Sequence, residues 1–149
     1  MDINLTQEEA NALIAMEKHV IDPSKEWEYP DLGGSISIPL QSLDRHEQFL
    51  LDLSRGRIDL LKGKFQDRAR QAVVLVRLDF GGAPHRNPDG AEVACPHLHI
   101  YRENYGDKWA DPVPSSFLAC GTTSFDMLNA FMDYCAIRSK PNINRGLFT

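Results

Sequence analysis

The segment Ala72–Val76 consists of five consecutive apolar residues, most of them β-branched. A strand that is apolar on both faces belongs in the interior of a sheet. We therefore predict that residues 65–80 form the longest strand of the chain, in the middle of its sheet. Three further patterns predict neighbouring strands.

Alternating apolar residues predict a strand over residues 35–40, where Pro39 favours an edge position or a strand end. Residues 48–53 and 57–62 are predicted to pair as a hairpin around Ser54-Arg55-Gly56. A long loop over residues 81–96, with a turn at Asn87–Gly90, leads into a strand over residues 97–102.

Capping-box patterns begin two predicted helices. Thr6 precedes an amphipathic stretch over residues 7–19, and Thr123 precedes another over residues 124–137. The predicted fold is α+β: an antiparallel sheet of four to five strands with an N-terminal and a C-terminal helix packed on one face. At 149 residues we expect a single domain over residues 1–149.

Composition excludes several classes of protein. No apolar run approaches the roughly 20 residues of a membrane helix, and the first ten residues have no signal-peptide pattern. We therefore expect a cytoplasmic protein that does not enter membranes. Cys95, Cys120 and Cys135 form no CxxC pair, which argues against a disulfide framework and a thiolate zinc site.

The net charge of −5 is unevenly distributed. Residues 1–31 sum to −6, whereas residues 55–70 sum to +4. The basic segment, with Arg55 and Arg57, is a candidate contact for nucleic-acid phosphate, and the alternative is an ordinary solvated hairpin face.

The histidines supply the main candidate site. His97 and His99 are two positions apart, so they share a strand face, which Tyr101 continues. Arg77 and Asp79 share a face of the preceding strand. If residues 72–79 pair with residues 97–102, these side chains and His85 converge at one end of the sheet.

Three interpretations remain open. The first is metal-independent acid–base cleavage of RNA, in which His97 or His99 transfers protons and Asp79 orients a histidine. The candidate catalytic residues are His85, His97, His99, Tyr101 and Asp79, and the candidate phosphate-binding residues are Arg77, Arg86, Arg102, Lys108, Arg55 and Arg57.

The second interpretation is a metal site. His85, His97 and His99 would ligate a divalent ion such as Zn²⁺, with Asp89 or water completing the shell, as in a metal-dependent hydrolase. In the third, the imidazoles and Tyr101 only satisfy one another and nearby backbone groups. The first and third interpretations need no cofactor.

The segments Arg77–His85, Pro96–Arg102 and Tyr105–Trp109 resemble an uncharacterised family of small bacterial and mobile-element proteins. That resemblance covers most of the chain, including residues 144–148. More remotely, the pattern Arg-x-Asp, Pro-His and a later His-rich strand over residues 77–99 is similar to the TumE family of toxin–antitoxin proteins. This similarity implies a toxin-like activity on RNA and an antitoxin as partner.

A different class of function stays open beside the toxin-like one. The chain would be a non-enzymatic interaction or inhibitor protein of a mobile element that binds a host protein or nucleoprotein complex. The acidic N-terminal block, with Glu8, Glu9 and Glu17, would then meet a basic partner surface. An exposed edge strand over residues 35–40 would also permit a dimer.

Overall fold

A computed structural model of the protein describes residues 4–58, 61–119, 121 and 123–144. It has a mixed α+β architecture built on one large sheet. In chain order the elements are α1 (Gln7–Ala15), β1 (Lys18–Val20), β2 (Glu26–Glu28), β3 (Ser35–Ser42), β4 (Gln48–Arg55), β5 (Gly63–Ala69), β6 (Val73–Phe80), β7 (His85–Arg86), β8 (Glu92–Val93), β9 (His97–Ile100), β10 (Ala110–Pro112), α2 (Ser115–Ala119), α3 (Ser124–Tyr134), β11 (Ile137–Ser139) and β12 (Asn142–Asn144).

The large sheet has eight strands in the order β10-β9-β6-β5-β4-β3-β1-β11. All neighbours are antiparallel except β1 and β11. The prediction of four to five strands is wrong, because three-residue strands such as β1, β10 and β11 are too short to show a periodic pattern. The prediction of two terminal helices is also wrong: the described part has three helices, and two strands follow α3.

The predicted single strand over residues 65–80 is two antiparallel strands, β5 and β6. The chain reverses between them at Arg70 and Gln71, whose φ angles are 50° and 67°. Such positive φ values normally mark Gly or Asn, so the sequence gives no turn signal there. The central place of the apolar segment is confirmed, since β6 lies between β5 and β9.

Two further strand predictions are corrected by the sheet order. The partner of β4 begins at Gly63, so no strand runs over the described residues 57, 58, 61 and 62; residues 59–60 lie outside the described residues. Strand β3 is at the edge only in part, because β1 pairs with its Leu40–Ser42 end, whereas among the described strands residues 35–38 pair with β4 alone. The sheet edges are β10 and β11.

Helices α1 and α3 contribute to one hydrophobic core with the sheet. Leu13 of α1 and Phe131 of α3 are buried in it, and the Phe131 ring lies 6.1 Å from that of Phe65 on β5. Both predicted capping boxes, at Thr6 and Thr123, are formed. No helix of the described ranges is long and apolar enough to cross a membrane.

A buried lysine closes this core. Lys18 Nζ donates to the carbonyl groups of Ile14 and Met16 at the end of α1 and of Cys135 at the end of α3. Lys18 thereby satisfies carbonyl groups that helix ends leave without partners. Helix α1 ends at Ala15 rather than residue 19 because the chain turns there into β1.

Candidate functional site

The sheet face opposite the helical layer carries a row of polar side chains. Ser37, Asp52, Gln66, Arg77 and His99 are direct cross-strand neighbours on β3, β4, β5, β6 and β9. Their side chains point away from the core, because alternate residues of a strand point to opposite faces. A continuous polar band therefore crosses five strands.

A second row runs beside the first. It consists of Ser35, Ser54, Lys64, Asp79 and His97, again in direct register from β3 to β9. The two rows meet at the β6–β9 pair, where the predicted pairing of residues 72–79 with 97–102 is confirmed. That pairing brings two charged residues of β6 beside two histidines of β9.

The β3–β5 half of the first row is a closed ionic cluster. Asp52 accepts hydrogen bonds from Ser37 Oγ (2.6 Å), Gln66 Nε2 (2.8 Å) and Arg68 Nε and Nη2 (both 2.9 Å). Burial alone would raise the pKa of Asp52, but these hydrogen bonds and the Arg68 charge lower it. The carboxylate is fully engaged, so this half of the row is structural.

At the β6–β9 end of the two rows an aspartate lies between two imidazoles. Asp79 Oδ2 lies 3.3 Å from His97 Nε2 and 3.2 Å from His99 Nε2. Arg77 Nε donates to Asp79 Oδ1 (3.1 Å), and Arg77 Nη2 lies 3.1 Å from His99 Nε2. Both histidine side chains are almost completely buried.

The loop after β9 holds this cluster from outside. The carbonyl group of Asp107 accepts from His99 Nδ1 at 2.7 Å, and the Asp107 carboxylate accepts from Arg77 Nη1 at 2.7 Å. His85 Nε2 donates to the Lys108 carbonyl group at 2.8 Å. The His85 ring centre lies 4.6 Å from that of His99 and 5.8 Å from that of His97.

Electrostatics separate the roles of these groups. Burial would raise the pKa of Asp79, but the hydrogen bond with His99 and the charge of Arg77 hold it well below its usual range. Burial lowers the pKa of His97, and Asp79 only partly offsets this. At neutral pH the site therefore holds an ionised Asp79 beside a neutral His97.

A cleft of about 400 Å³ opens beside His97 and Asp79. Four cations line it, Arg55, Lys62, Lys64 and Arg77, against one carboxylate, that of Asp79. Beside Gly82 of the lining, Gly81 packs on the Leu61 backbone: a Cβ at Gly81 would lie 2.1 Å from the Leu61 carbonyl oxygen. The excess of positive charge suits an anionic ligand.

The structure brings together six of the residues that the sequence predicts for the site: Arg55, Arg77, Asp79, His85, His97 and His99. Tyr101 does not join them. Its hydroxyl group donates to the Leu5 carbonyl group (3.0 Å) and accepts from the Leu5 N–H (2.8 Å), so it is buried in the core. The structure therefore does not bring Tyr101 to the site, and its catalytic role stays a prediction.

Four predicted phosphate contacts lie outside the cleft lining. The Arg86 side chain pairs with Glu92 (3.0 Å), and Arg102 stacks 4.1 Å from the centre of the Trp109 ring. Lys108 is exposed and contributes its carbonyl group, and Arg57 lies against Gly33.

Four functional candidates escaped sequence reasoning: Lys62, Lys64, Cys95 and Asp107. The sequence shows Lys62 and Lys64 only as part of the basic segment, because no local signal gives the register of β5. Cys95 precedes the histidine strand, and its Sγ lies 3.6 Å from His97 Nδ1. The signal available was its position two residues before His97.

The metal interpretation also changes. Asp79, His97 and His99 each offer one ligand atom, and these three atoms all lie within 4.8 Å of one another, close enough for a shared divalent ion. Asp89 instead accepts from the Ala91 N–H in its turn. Arg77 already places positive charge against Asp79 and His99, so an added cation would have to displace it. His85, one of the predicted ligands, is not part of this group, and the metal interpretation stays a prediction.

Comparison with known proteins adds a family. Residues 5–137 match the family model DUF6978, a family of unknown function. The chain belongs to this family. The expectation of an uncharacterised family is confirmed, whereas the similarity to TumE proteins stays a prediction. No curated protein and no solved structure matches the chain.

Proposed function

We propose that this DUF6978 protein cleaves RNA without a metal ion, at the cationic cleft beside His97. The observation that carries the proposal is the position of Asp79, whose ionised carboxylate faces His97 Nε2 at the edge of a cleft lined by four cations. A phosphodiester is the anionic substrate class that suits this charge, and RNA carries its own nucleophile, the 2′-hydroxyl group.

The proton transfers follow from the tautomer that Asp79 selects. An ionised Asp79 accepts the Nε2–H of His97, which leaves the lone pair on Nδ1, the nitrogen on the side of Cys95. His97 Nδ1 takes the proton of the 2′-hydroxyl group as its oxygen attacks phosphorus. The low pKa of His97 keeps the ring neutral and able to act as a base at pH 7.

The remaining steps need an acid and positive charge. His85 borders the cleft residue His97, with the two ring centres 5.8 Å apart. Its Nε2–H is bonded to the Lys108 carbonyl group, so the protonated ring gives its Nδ1 proton to the departing 5′-oxygen. Lys62 and Lys64 bind the phosphate, and Arg77 stabilises the charge that develops on it. The products are a 2′,3′-cyclic phosphate and a 5′-hydroxyl end.

The biological setting in this proposal is that of a toxin. The similarity to TumE proteins implies growth arrest on expression and a neighbouring antitoxin that relieves it. If His97→Ala with His99→Ala leaves growth arrest and RNA cleavage unchanged, the proposal is lost. An antitoxin reading frame beside the gene would support it independently.

A DNA oligonucleotide with a single ribonucleotide provides the test. The purified full chain, in the presence of EDTA, is expected to cut only after the ribonucleotide and to leave a 2′,3′-cyclic phosphate. The variant His97→Gln should lower the rate by about 100-fold or more, since a positioned general base contributes that much.

The matched control is His19→Gln. His19 lies on β1, outside the cleft, and its side chain pairs with that of Glu17. It should cleave at the wild-type rate. Cleavage that leaves a 3′-hydroxyl end, or cleavage of all-DNA strands at an equal rate, contradicts the mechanism, because neither involves the 2′-hydroxyl group.

A further inference from the structure

Cys95 occupies a chemical position that RNA cleavage does not use. It lines the cationic cleft, and its Sγ lies 3.6 Å from His97 Nδ1, while His97 Nε2 faces Asp79 Oδ2 at 3.3 Å. The thiol also lies 3.6 Å from the Asp79 carbonyl oxygen and 3.7 Å from that of Ala83, so it can donate to either until His97 takes its proton. The three groups therefore lie side by side in space: Cys95 as the nucleophile, His97 as the base and the Asp79 carboxylate, which orients the base. This is the arrangement that activates thiols in enzymes.

We propose that Cys95 is a reactive thiol that undergoes exchange with small anionic disulfides bound in the cleft. His97 Nδ1 removes the thiol proton, Sγ attacks one sulfur of the disulfide, and the disulfide bond breaks. The leaving thiolate takes the proton from His97 as it departs. The products are a mixed disulfide at Cys95 and one free small thiol, so Cys95 is oxidised and the small disulfide is reduced.

The charge of the cleft selects the ligand class. Lys62 and Lys64 are exposed, and in the described ranges neither forms an ion pair with a carboxylate. A Cβ placed on Gly82 would lie 3.6 Å from Lys62 Cε and 3.9 Å from Cys95 Sγ, so both side chains reach the same point. A disulfide that carries carboxylates is therefore held where its sulfur meets Cys95.

Cys135 provides an internal comparison. It is completely buried, and burial raises the pKa of its thiol well above the ordinary value. Cys95 is only partly buried. In the folded protein we therefore expect Cys95 to react and Cys135 to remain unmodified.

The modification also has a consequence for the proposed function. A mixed disulfide at Cys95 fills the cleft beside His97 Nδ1, so it should block RNA cleavage until a reductant removes it. The thiol chemistry itself does not rest on RNA cleavage, and its test contains no RNA. The two proposals can therefore fail separately.

The probe is 5,5′-dithiobis(2-nitrobenzoate), a dianionic disulfide whose released thiol is followed by absorbance, with peptide mass spectrometry to locate the label. Cys95 should react faster than free N-acetylcysteine and faster than Cys135. His97→Gln should slow the labelling of Cys95 by about 100-fold, whereas the control His19→Gln should not change it. Equal rates in wild type and His97→Gln would overturn the role of the base.

Because His97 is buried, His97→Gln is compared with wild type by circular dichroism, and a surface variant gives a second test. Lys62→Ala with Lys64→Ala changes exposed side chains. It should slow the reaction with the dianionic probe about tenfold more than the reaction with neutral 4,4′-dithiodipyridine, as expected for loss of electrostatic attraction. An equal effect on both probes would overturn the selection of anions.

Discussion

Lys18 Nζ lies 3.6 Å from Asp67 Oδ2, and both side chains have no exposed surface. Among the described residues the two carboxylate oxygens of Asp67 form no regular hydrogen bond. Lys18, with a smaller contribution from the Cys135 thiol, is the main compensation for this buried charge. Lys18→Met should therefore lower the free energy of unfolding by about 3–5 kcal/mol, as removal of one member of a buried pair does. Urea denaturation at pH 7.5 measures it.

The control for that variant is Lys140→Met, because Lys140 pairs with Asp133 at the surface. Loss of this surface pair should lower the free energy of unfolding by no more than about 1 kcal/mol, because solvent screens exposed pairs. If both variants lose the same stability, the Lys18–Asp67 pair has no special role in the core.

The pH dependence of stability should carry the signature of Asp67. Burial raises its pKa to about 6, and Lys18 only partly offsets this. Between the unfolded pKa, near 4, and about 6, the folded protein binds more protons than the unfolded chain, so stability falls as pH rises through this window. Wild type should lose up to about 3 kcal/mol between pH 4 and pH 7 relative to Asp67→Asn. If the free energy of unfolding changes with pH in the same way for the two proteins, this expectation is wrong.

Part of the fold was predictable because the alternation of apolar and polar residues along a strand indicates which of its faces is buried. The central strand and its pairing with the histidine strand follow from the apolar segment and the alternation around His97. The reversal at Arg70 and Gln71 was not predictable, because neither residue type favours the positive φ that it adopts. Strands as short as β1 and β11 depend on tertiary contacts alone.

Gly81 should be one of the least replaceable residues near the site. It has a φ of +71°, and a Cβ there would lie 2.1 Å from the Leu61 carbonyl oxygen. Gly81→Ala therefore combines backbone strain with a backbone clash. It should lower the free energy of unfolding by more than about 3 kcal/mol. Thermal unfolding, together with the labelling rate of Cys95, checks both the fold and the cleft.

Gly90 is the matched control, since its φ is +89° but a Cβ there would meet nothing within 4 Å. Gly90→Ala should lower the free energy of unfolding by about 1 kcal/mol, from backbone strain alone. If Gly90→Ala is as damaging as Gly81→Ala, the contact with Leu61 does not determine the loss.

The site was predictable to the extent that strand register determines it. Residues at alternate positions of two paired strands must share a face, which is why Arg77, Asp79, His97 and His99 meet. Tyr101 departs from this rule for two reasons. Strand β9 ends at Ile100, one residue before it. The carbonyl group that accepts from the Tyr101 N–H belongs to Leu75, which has no cross-strand partner on β5 because the β5–β6 register shifts there. The cleft cations depend on the start of β5, which no local signal marks.

Metal removal should leave the protein unchanged. Arg77 already provides the positive charge beside Asp79 and His99, so neither stability nor RNA cleavage should respond to EDTA. Elemental analysis of protein purified without a histidine tag should find substoichiometric metal. One equivalent of Zn²⁺ per chain, with a lower melting temperature after its removal, would instead support the metal-dependent alternative.

Charge reversal at the acidic N-terminal block separates the enzyme from the interaction-protein alternative. Glu9 is unsuitable for this, because its carboxylate accepts from the Thr6 N–H and completes the capping box of α1. Glu8→Lys with Glu17→Lys changes exposed side chains and should leave RNA cleavage and growth arrest as in wild type. His97→Gln should abolish both. If the double charge reversal abolishes growth arrest while His97→Gln does not, the acidic surface rather than the cleft carries the function, and a basic host protein becomes the partner to seek.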